Sequence, residues 1–548
     1  MAHLSSAQDI ELSAYQSQRS DNVPQGDSIP TPSARIPATY PSGTKLVLVT
    51  IGLVLSIFLS ALDSTIIATA IPKITDEFGS IANIAWYGSA YAITNTAFQT
   101  SWGKAYNFFS LKYTFLLAIA VFESGNVICA VSLNSSMLIF GRVIAGAGGG
   151  GIMTGAFIII AFTAKPEYRA AYMGVLGVTF GASSVVGPLL GGVLTDGPGW
   201  RWCFWVSLPI GFAAALTMFL FFTPPVPPKE AALLERIVHM DLLGGVLISG
   251  SLSCFVLAMH WSGIYSWSNP RSILIFTSSI LLFCVFCINE WRMGDKAMVQ
   301  SHLLRKLTVL PNLIYIFFLA GLFFPLLYTL PVRFQSVHNT SASQSGIRLI
   351  PLVLGVSVFT MVSNGLLTFW RHYKPFLLVG ALLGTAGVSK MYTLDSDASV
   401  GDWIGFEMLA AMGIGLALQI PMIANQTMVS SEDIGSVTAI SLFFENMGTT
   451  IFVAAGEAAF AQGLMASISK NIPRLDPHAV LNIGVTQIRT VFVGSELNDV
   501  LESYLEGCRI SQVISVACGV VACLVSLGCA GKAGIREMKI RLKKVHSP

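Results

Sequence analysis

Charge is scarce in this sequence. Only 11% of its 548 residues are Asp, Glu, Lys or Arg, while 53% are hydrophobic. Soluble globular chains carry roughly 25% charged residues, so this chain cannot coat its surface for water, and a soluble globular protein is excluded. The net charge of +3 is too small to point to nucleic acid. Histidine is also thin: His239 and His260 sit near opposite ends of one apolar segment, and His302, His338 and His372 fall in separate polar stretches. No His-Glu-x-x-His or Ser/His/Asp pattern occurs, so the sequence offers neither a metal centre nor a hydrolase. Most of the nine cysteines (Cys129, Cys254, Cys284, Cys287, Cys518, Cys523 and Cys529 among them) lie in apolar runs. Cys284-Val-Phe-Cys287 has redox or zinc spacing but no second pair and no neighbouring His. Buried thiols acting as small hydrophobes are expected. Cys203 and Cys508 fall on one predicted side of the chain and are able to pair.

What is abundant is apolar length. From Lys45 onward fourteen apolar segments recur, from 46–70 through 84–104 and 435–460 to 511–531, each near the roughly 20 residues that cross hydrocarbon. The even number puts both termini on one side, and the excess of Lys and Arg puts that side in the cytoplasm. The sequons at Asn134 and Asn339 then face outward as candidate glycosylation sites. Residues 1–44, rich in Ser, Pro, Gln and Asp, read as a disordered cytoplasmic tail without a signal peptide. Six of the segments fall in 45–223, two in 224–310 and six in 311–531. An extracellular polar loop interrupts the latter at 464–508, and a basic cytoplasmic tail occupies 532–548.

The stretch "AGAGGGGIMTG" contains Gly146-x-Gly148-x-x-Gly151, the spacing of a dinucleotide-binding fingerprint, with Glu167 near the place of a ribose-binding acid. That fingerprint needs a strand before it and a solvated helix start after it. Here the apolar run continues on both sides, and in lipid the backbone must bond to itself as a helix. Gly146/Gly150 and Gly151/Gly155 are four apart, the spacing that lets membrane helices approach closely. The next apolar segment repeats the device with Gly177/Gly181 and Gly187/Gly191, and Pro188 removes a backbone donor there.

Together these residues resemble a known family. Ser183-x-x-x-Gly187-Pro188-x-x-Gly191-Gly192 resembles the antiporter motif of the major facilitator superfamily. "LDSTIIATAIPKI" (62–74), "LIFGRVIAGAGGGG" and "WRWCFWVSLPIG" (200–211) are similar to motifs of its fourteen-span drug:proton antiporter branch. "SASQSGIRLIPL" (341–352) and "GIGLALQIPMIANQ" (413–426) look like its fungal toxin-efflux members. The loop "GKAYNFFSLKYTF" departs from the pattern: Asn107 replaces an acid and Leu111 an arginine, and Ser207 stands where Asn is common. The resemblance implies an all-α membrane protein with the major facilitator fold: fourteen helices in two six-helix bundles plus two inserted helices. Helices 1, 4, 9 and 12 would line a central cavity, with 2, 5, 10 and 13 flanking it. Gly187, Pro188, Gly191 and Gly192 would form the conformational motif.

Ionisable groups inside spans cost several kcal/mol and are functional candidates by default. Asp63 and Arg142, on cavity-lining helices, are the expected proton-coupling pair, with Glu445 as a further proton carrier. Glu123 is expected to bond a neighbouring helix, and Glu407 and Glu457 to sit hydrated near the outer surface. Asn95, Gln99, Gln419, Asn425 and Gln426 would supply polar contacts, and Trp86, Tyr91 and Tyr315 aromatic walls. An apolar site with a few polar groups suits amphipathic organic ligands. The expected function is export of a small hydrophobic organic compound, a fungal secondary metabolite or toxin or a xenobiotic drug, by a monomer in the lipid bilayer of the plasma membrane or of a vacuolar or vesicular membrane. The proton gradient would drive it, without cofactor, metal or nucleic acid. A proton symporter or uniporter for a sugar or siderophore, and a non-transporting receptor, are the alternatives.

Overall fold

The computed structural model describes residues 43–545 apart from 79–83, 166, 225–239, 265–268, 371, 396–397, 431 and 484–487. Nearly all of the expected tail over 1–44, and the side chains of 532–548, lie outside the described residues. Among the described residues there is no strand, as follows when a backbone in hydrocarbon must satisfy its own hydrogen bonds.

The long helices are α1 (Thr44–Phe78), α2 (Ile84–Phe108), α3 (Leu111–Ala130), α4 (Ser135–Thr163) and α5 (Arg169–Asp196). They continue with α6 (Trp202–Phe221), α7 (Leu242–Ile264), α8 (Pro270–Met293) and α9 (Val309–Ser336). The series ends with α10 (Ile350–Trp370), α11 (Lys374–Tyr392), α12 (Val400–Thr427), α13 (Ile434–Asn471) and α14 (Ser495–Val545). Among the described residues, thirteen helices have the length and apolarity to cross a membrane, which makes this a multi-pass membrane protein. The remaining one is α2, whose Asn95, Gln99 and Lys104 dilute its hydropathy although its 25 residues suffice in length.

The chain packs as two halves that repeat one crossing pattern. The contacts α1–α5, α2–α4, α3–α6 and α1–α6 in the first half are matched by α9–α13, α10–α12, α11–α14 and α9–α14 in the second. The match extends to atoms. A Cβ on Gly125 of α3 would lie 2.8 Å from the Cβ of Ala145 on α4, and one on Gly387 of α11 would lie 2.8 Å from that of Ala410 on α12. Three residues along each helix, Gly148 meets Phe122 and Gly413 meets Gly384. Where no hydrophobic drive separates helix from lipid, such close approach is the main source of association.

The halves touch through α2 with α13 and α5 with α10. Of the inserted helices, α7 packs on α2 and α13, while α8 packs on α7. The buried Lys104 of α2 fastens this pair by donating to the carbonyls of Lys296 and Ala297. Asp241 before α7 accepts from the amides of Gly244 at 3.0 Å and Met298 at 3.1 Å.

Three expectations about the loop and the cysteines need correction. The polar loop over 464–508 is mostly helix: α13 runs to Asn471, α14 begins at Ser495, and two short helices, Pro477–Asn482 and Ile488–Val491, lie between. The polar residues there alternate with Val500 and Tyr504, which bury against Leu464, Ile468 and Phe492 in a small core of their own. Cys203 and Cys508 are both free and do not pair. Each stays in its own half, Cys203 beside Thr195 and Cys508 beside the Thr329 carbonyl. Cys284 and Cys287 are exposed, not buried, because α8 buries only a narrow face on α7.

Candidate functional site

The glycines of α4 explain how a charge is seated in this fold. Gly146 and Gly150 have no room for a Cβ against the backbone of Tyr91 and Asn95 on α2, and Gly151 and Gly155 press on Ala118 and Phe115 of α3. The bare backbone this leaves is used: Trp102 Nε1 donates to the Ala147 carbonyl at 2.7 Å, and Tyr106 Oη to that of Gly151 at 2.9 Å. With α2 drawn so close, Arg142, one turn before Gly146, reaches α1 and α2 together.

Arg142 Nη1 donates to Asp63 Oδ2 at 2.7 Å, and the two side chains are 1% and 2% exposed. Its Nε donates to the Tyr87 carbonyl at 3.0 Å. The guanidinium carbon lies 4.5 Å from the centre of the Tyr91 ring and 6.0 Å from that of Phe204. Tyr91 Oη in turn hydrogen-bonds Ser60 Oγ at 2.9 Å. One acceptor is left over, since Asp63 Oδ1 has no protein partner. Breaking such a sealed pair strands a charge, which costs about 3–5 kcal/mol. A proton on Asp63 lowers that cost, so protonation and opening of the pair are linked.

The remaining candidates divide into groups. Gln99 Oε1 accepts from Asn446 at 3.1 Å and Asn107 donates to Ser436 Oγ at 3.0 Å, both between α2 and α13 and hence between the halves. The loop that lacks the family's acid therefore makes a neutral contact across the halves. Gly177 of α5 faces Gln419, which sits at the break in α12 and accepts from Asn364 at 2.8 Å. Asn425 accepts from Asn312 at 2.9 Å and donates to Ser441 at 3.1 Å, and Gln426 donates to Thr438 at 2.8 Å. Asn95 is buried against Gly149, next to Tyr91.

Other candidates do not join this centre. Tyr315 is buried in the second half, its hydroxyl donating to the Leu377 carbonyl at 2.7 Å. Trp86 packs with the cluster shared by α2, α7 and α13. Glu445 is half-buried on α13. Glu123 accepts from Ser207 at 3.1 Å, joining α3 to α6. Gly187 and Gly191 seat against Thr65, Ile66 and Thr69 of α1, while Gly192 meets nothing and Pro188 is half-buried inside α5. Asn134 caps α4 by accepting from Met137 at 2.8 Å, and Asn339 adopts φ 52°. Glu457 is exposed on α13, but Glu407 is 1% exposed, a correction to its expected hydration, because α12 turns it into the packing of the second half. Among the groups not anticipated is Arg333, 2% exposed on α9.

Two repeated helical halves, with a buried acid–base pair sealed inside the first, define the architecture of a membrane transporter. The chain belongs to the Major Facilitator Superfamily, whose family model matches residues 53–453. It is 39% identical over 517 residues to the MFS-type transporter grgE of a Penicillium species, with 92% of each chain covered. It is 39% identical to the probable efflux pump gsfJ of Penicillium aethiopicum, with 89% of this chain and 88% of that one covered. It is 37% identical to the MFS-type efflux pump MFS1 of Trichophyton rubrum, with 92% and 94% covered. The human organic anion transporter MFSD10 shares the fold at TM-score 0.57 and 13% identity, over 88% of this chain and all of that one. An inward-facing bacterial homologue of the human lysosomal transporter Spinster does so at TM-score 0.57 and 17% identity, over 89% and 98%.

Proposed function

We propose that this protein is an efflux transporter that exports a small hydrophobic organic compound in exchange for protons, and not an enzyme. The carrying observation is the sealed Asp63–Arg142 pair with one unsatisfied carboxylate oxygen. The likeness to fungal efflux pumps supports the direction of transport. With both termini in the cytoplasm, the Asn107–Ser436 and Gly103–Ala439 contacts lie at the cytoplasmic ends of α2 and α13. Asp63 would then load its proton from the outer side. Neutralising it weakens the hold on Arg142, and substrate arriving from the cytoplasm favours the other arrangement of the halves. Each ligand shifts that equilibrium only by its differential affinity for the two states. The plasma membrane is the proposed location and the monomer the working unit.

The test is whole-cell export of the organism's own hydrophobic metabolites, with and without a proton uncoupler. Asp63→Asn should reach the membrane at normal levels and lose uncoupler-sensitive export by about 100-fold, the scale of a coupling energy near 3 kcal/mol. Undiminished proton-driven export by that variant would refute the assignment. Accumulation of substrate inside energised cells would favour the symporter alternative instead.

A further inference from the structure

The repeat relating the two halves carries the charges as well as the backbone. Arg142 stands eight residues after Asn134, the cap of α4, and Glu407 eight residues after Ser399, the cap of α12. Three residues further on, Ala145 and Ala410 make the matching contacts with Gly125 and Gly387. The counterpart of α1, which bears Asp63, is α9, which bears Arg333. The second half therefore holds an acid and a base on the corresponding helices with their signs exchanged.

These two are not joined to each other. Arg333 donates to the carbonyls of Met391 at 3.0 Å and Leu394 at 2.6 Å. Apart from the backbone amide of Leu352 on α10, no protein group is turned to the carboxylate of Glu407 for a hydrogen bond, although the residue is 1% exposed. Both side chains line one small cavity with Phe334, His338, Leu394, Ala398 and Trp403, with room for about one water molecule. A space of that size is too small for an organic ligand and suits a water molecule that brings a proton to Glu407. His338, Leu394 and Ala398 belong to the segments that follow α9 and α11, so the pocket runs from these connections to Glu407. Glu407 lies about 12 Å along α12 from its cap at 1.5 Å per residue.

We propose that Glu407 is a second proton-binding site, filled through this pocket from the loop end. A proton from water forms an O–H bond on the carboxylate and neutralises it. On release the bare carboxylate is held by Arg333, turning from the carbonyls of Met391 and Leu394. The other charged groups around Glu407 come from several elements. His338 has an unpartnered Nδ1. Arg348 lies 5.5 Å over the Phe334 ring and 5.7 Å over the Trp403 ring. Arg509 of α14 is held by Asp395 at 2.7 Å. Lys390 and Tyr392 of α11 are exposed, Asp402 of α12 is bound to its cap Ser399, and α10 carries no titratable side chain. The use of this proton in export rests on the function proposed above, but its binding does not.

The binding is read by pH-difference infrared spectroscopy on the full chain in lipid nanodiscs. Acidification should raise a protonated-carboxyl band that disappears in Glu407→Gln, survives in Asp63→Asn and shifts its midpoint in Arg333→Gln. A wild-type spectrum whose difference bands are unchanged by Glu407→Gln overturns the proposal, as does a Glu407 band that does not respond to pH. In reconstituted vesicles Glu407→Gln should halve the protons moved per substrate exported, and an unchanged ratio overturns the site's part in transport. A titrating Glu407 band together with export that ignores the proton gradient would leave the site standing and remove the antiport reading.

Discussion

In the first half an aspartate and an arginine close to 2.7 Å and seal each other from solvent. In the second, the matching helices bring an arginine and a glutamate to one pocket, yet the arginine bonds to backbone. The crossing beneath is the same in both, down to the glycine–alanine contacts. Small residues thus set the scaffold, while local acceptors decide whether the charges meet. Arg333 finds the carbonyls of Met391 and Leu394 at and just beyond the end of α11, where the last turn of a helix leaves acceptors unsatisfied. Arg142 reaches a single carbonyl, that of Tyr87 in the first turn of α2, through Nε and turns Nη1 to Asp63. One half holds its acid neutralised by a partner, and the other leaves its acid open to one.

The largest effect should separate the two arginines. Arg142→Gln strands a buried carboxylate and is expected to cost about 3–5 kcal/mol. Arg333→Gln gives up hydrogen bonds from a charged donor and should cost about 1–3 kcal/mol. Thermal unfolding of the two purified variants, read by the loss of monodisperse protein, measures the difference, and equal losses would break the comparison. Next in size, Gly125→Val and Gly387→Val should each cost about 1–3 kcal/mol by overpacking. The same measurement should find them alike, and a large inequality would mean that the two crossings are not energetically equivalent.

The smallest effect lies outside the spans. Glu77, past the spanning stretch of α1, accepts from Arg201 at 2.8 Å and Trp200 at 2.7 Å. These bonds, that of Arg201 first, hold its carboxyl below the ordinary carboxylate pKa. A group lowered in the folded state adds stability above its unfolded pKa and loses it as pH falls through the folded one. Being 44% exposed, the pair should contribute no more than about 1 kcal/mol. The gap in unfolding temperature between wild type and Glu77→Gln should therefore be small near neutrality and vanish in acid. A gap that widens in acid would contradict the sign.

Much of the architecture was legible because its causes are local. Apolar length marks a span, and glycines four apart mark a close crossing. The run around Gly146 was separable from a phosphate loop by its unbroken apolar flanks alone. The helices bounding 464–508 were not legible, because their apolar residues pack on one another across the connection and the stretch is polar on average. Gln419, Asn425 and Gln426 were recognisable as polar groups in apolar helices, but not as residues satisfied by Asn364, Asn312 and Thr438. The eight-residue offset from cap to charge in α4 and α12 stood in the sequence, yet its meaning required knowing that the two helices repeat.

By itself, the sequence determined that this chain lives in lipid, spans it many times and brings glycine faces together, since hydropathy and spacing act within a single helix. Only the tertiary structure decided which charges meet. Asp63 and Arg142 are 79 positions apart, and their contact depends on the packing of α1, α2 and α4. Glu407 and Arg333 have the same chemistry available, but the end of α11 supplies the arginine with other acceptors. Pairing depends on distances of a few ångströms, which separation along the chain does not encode.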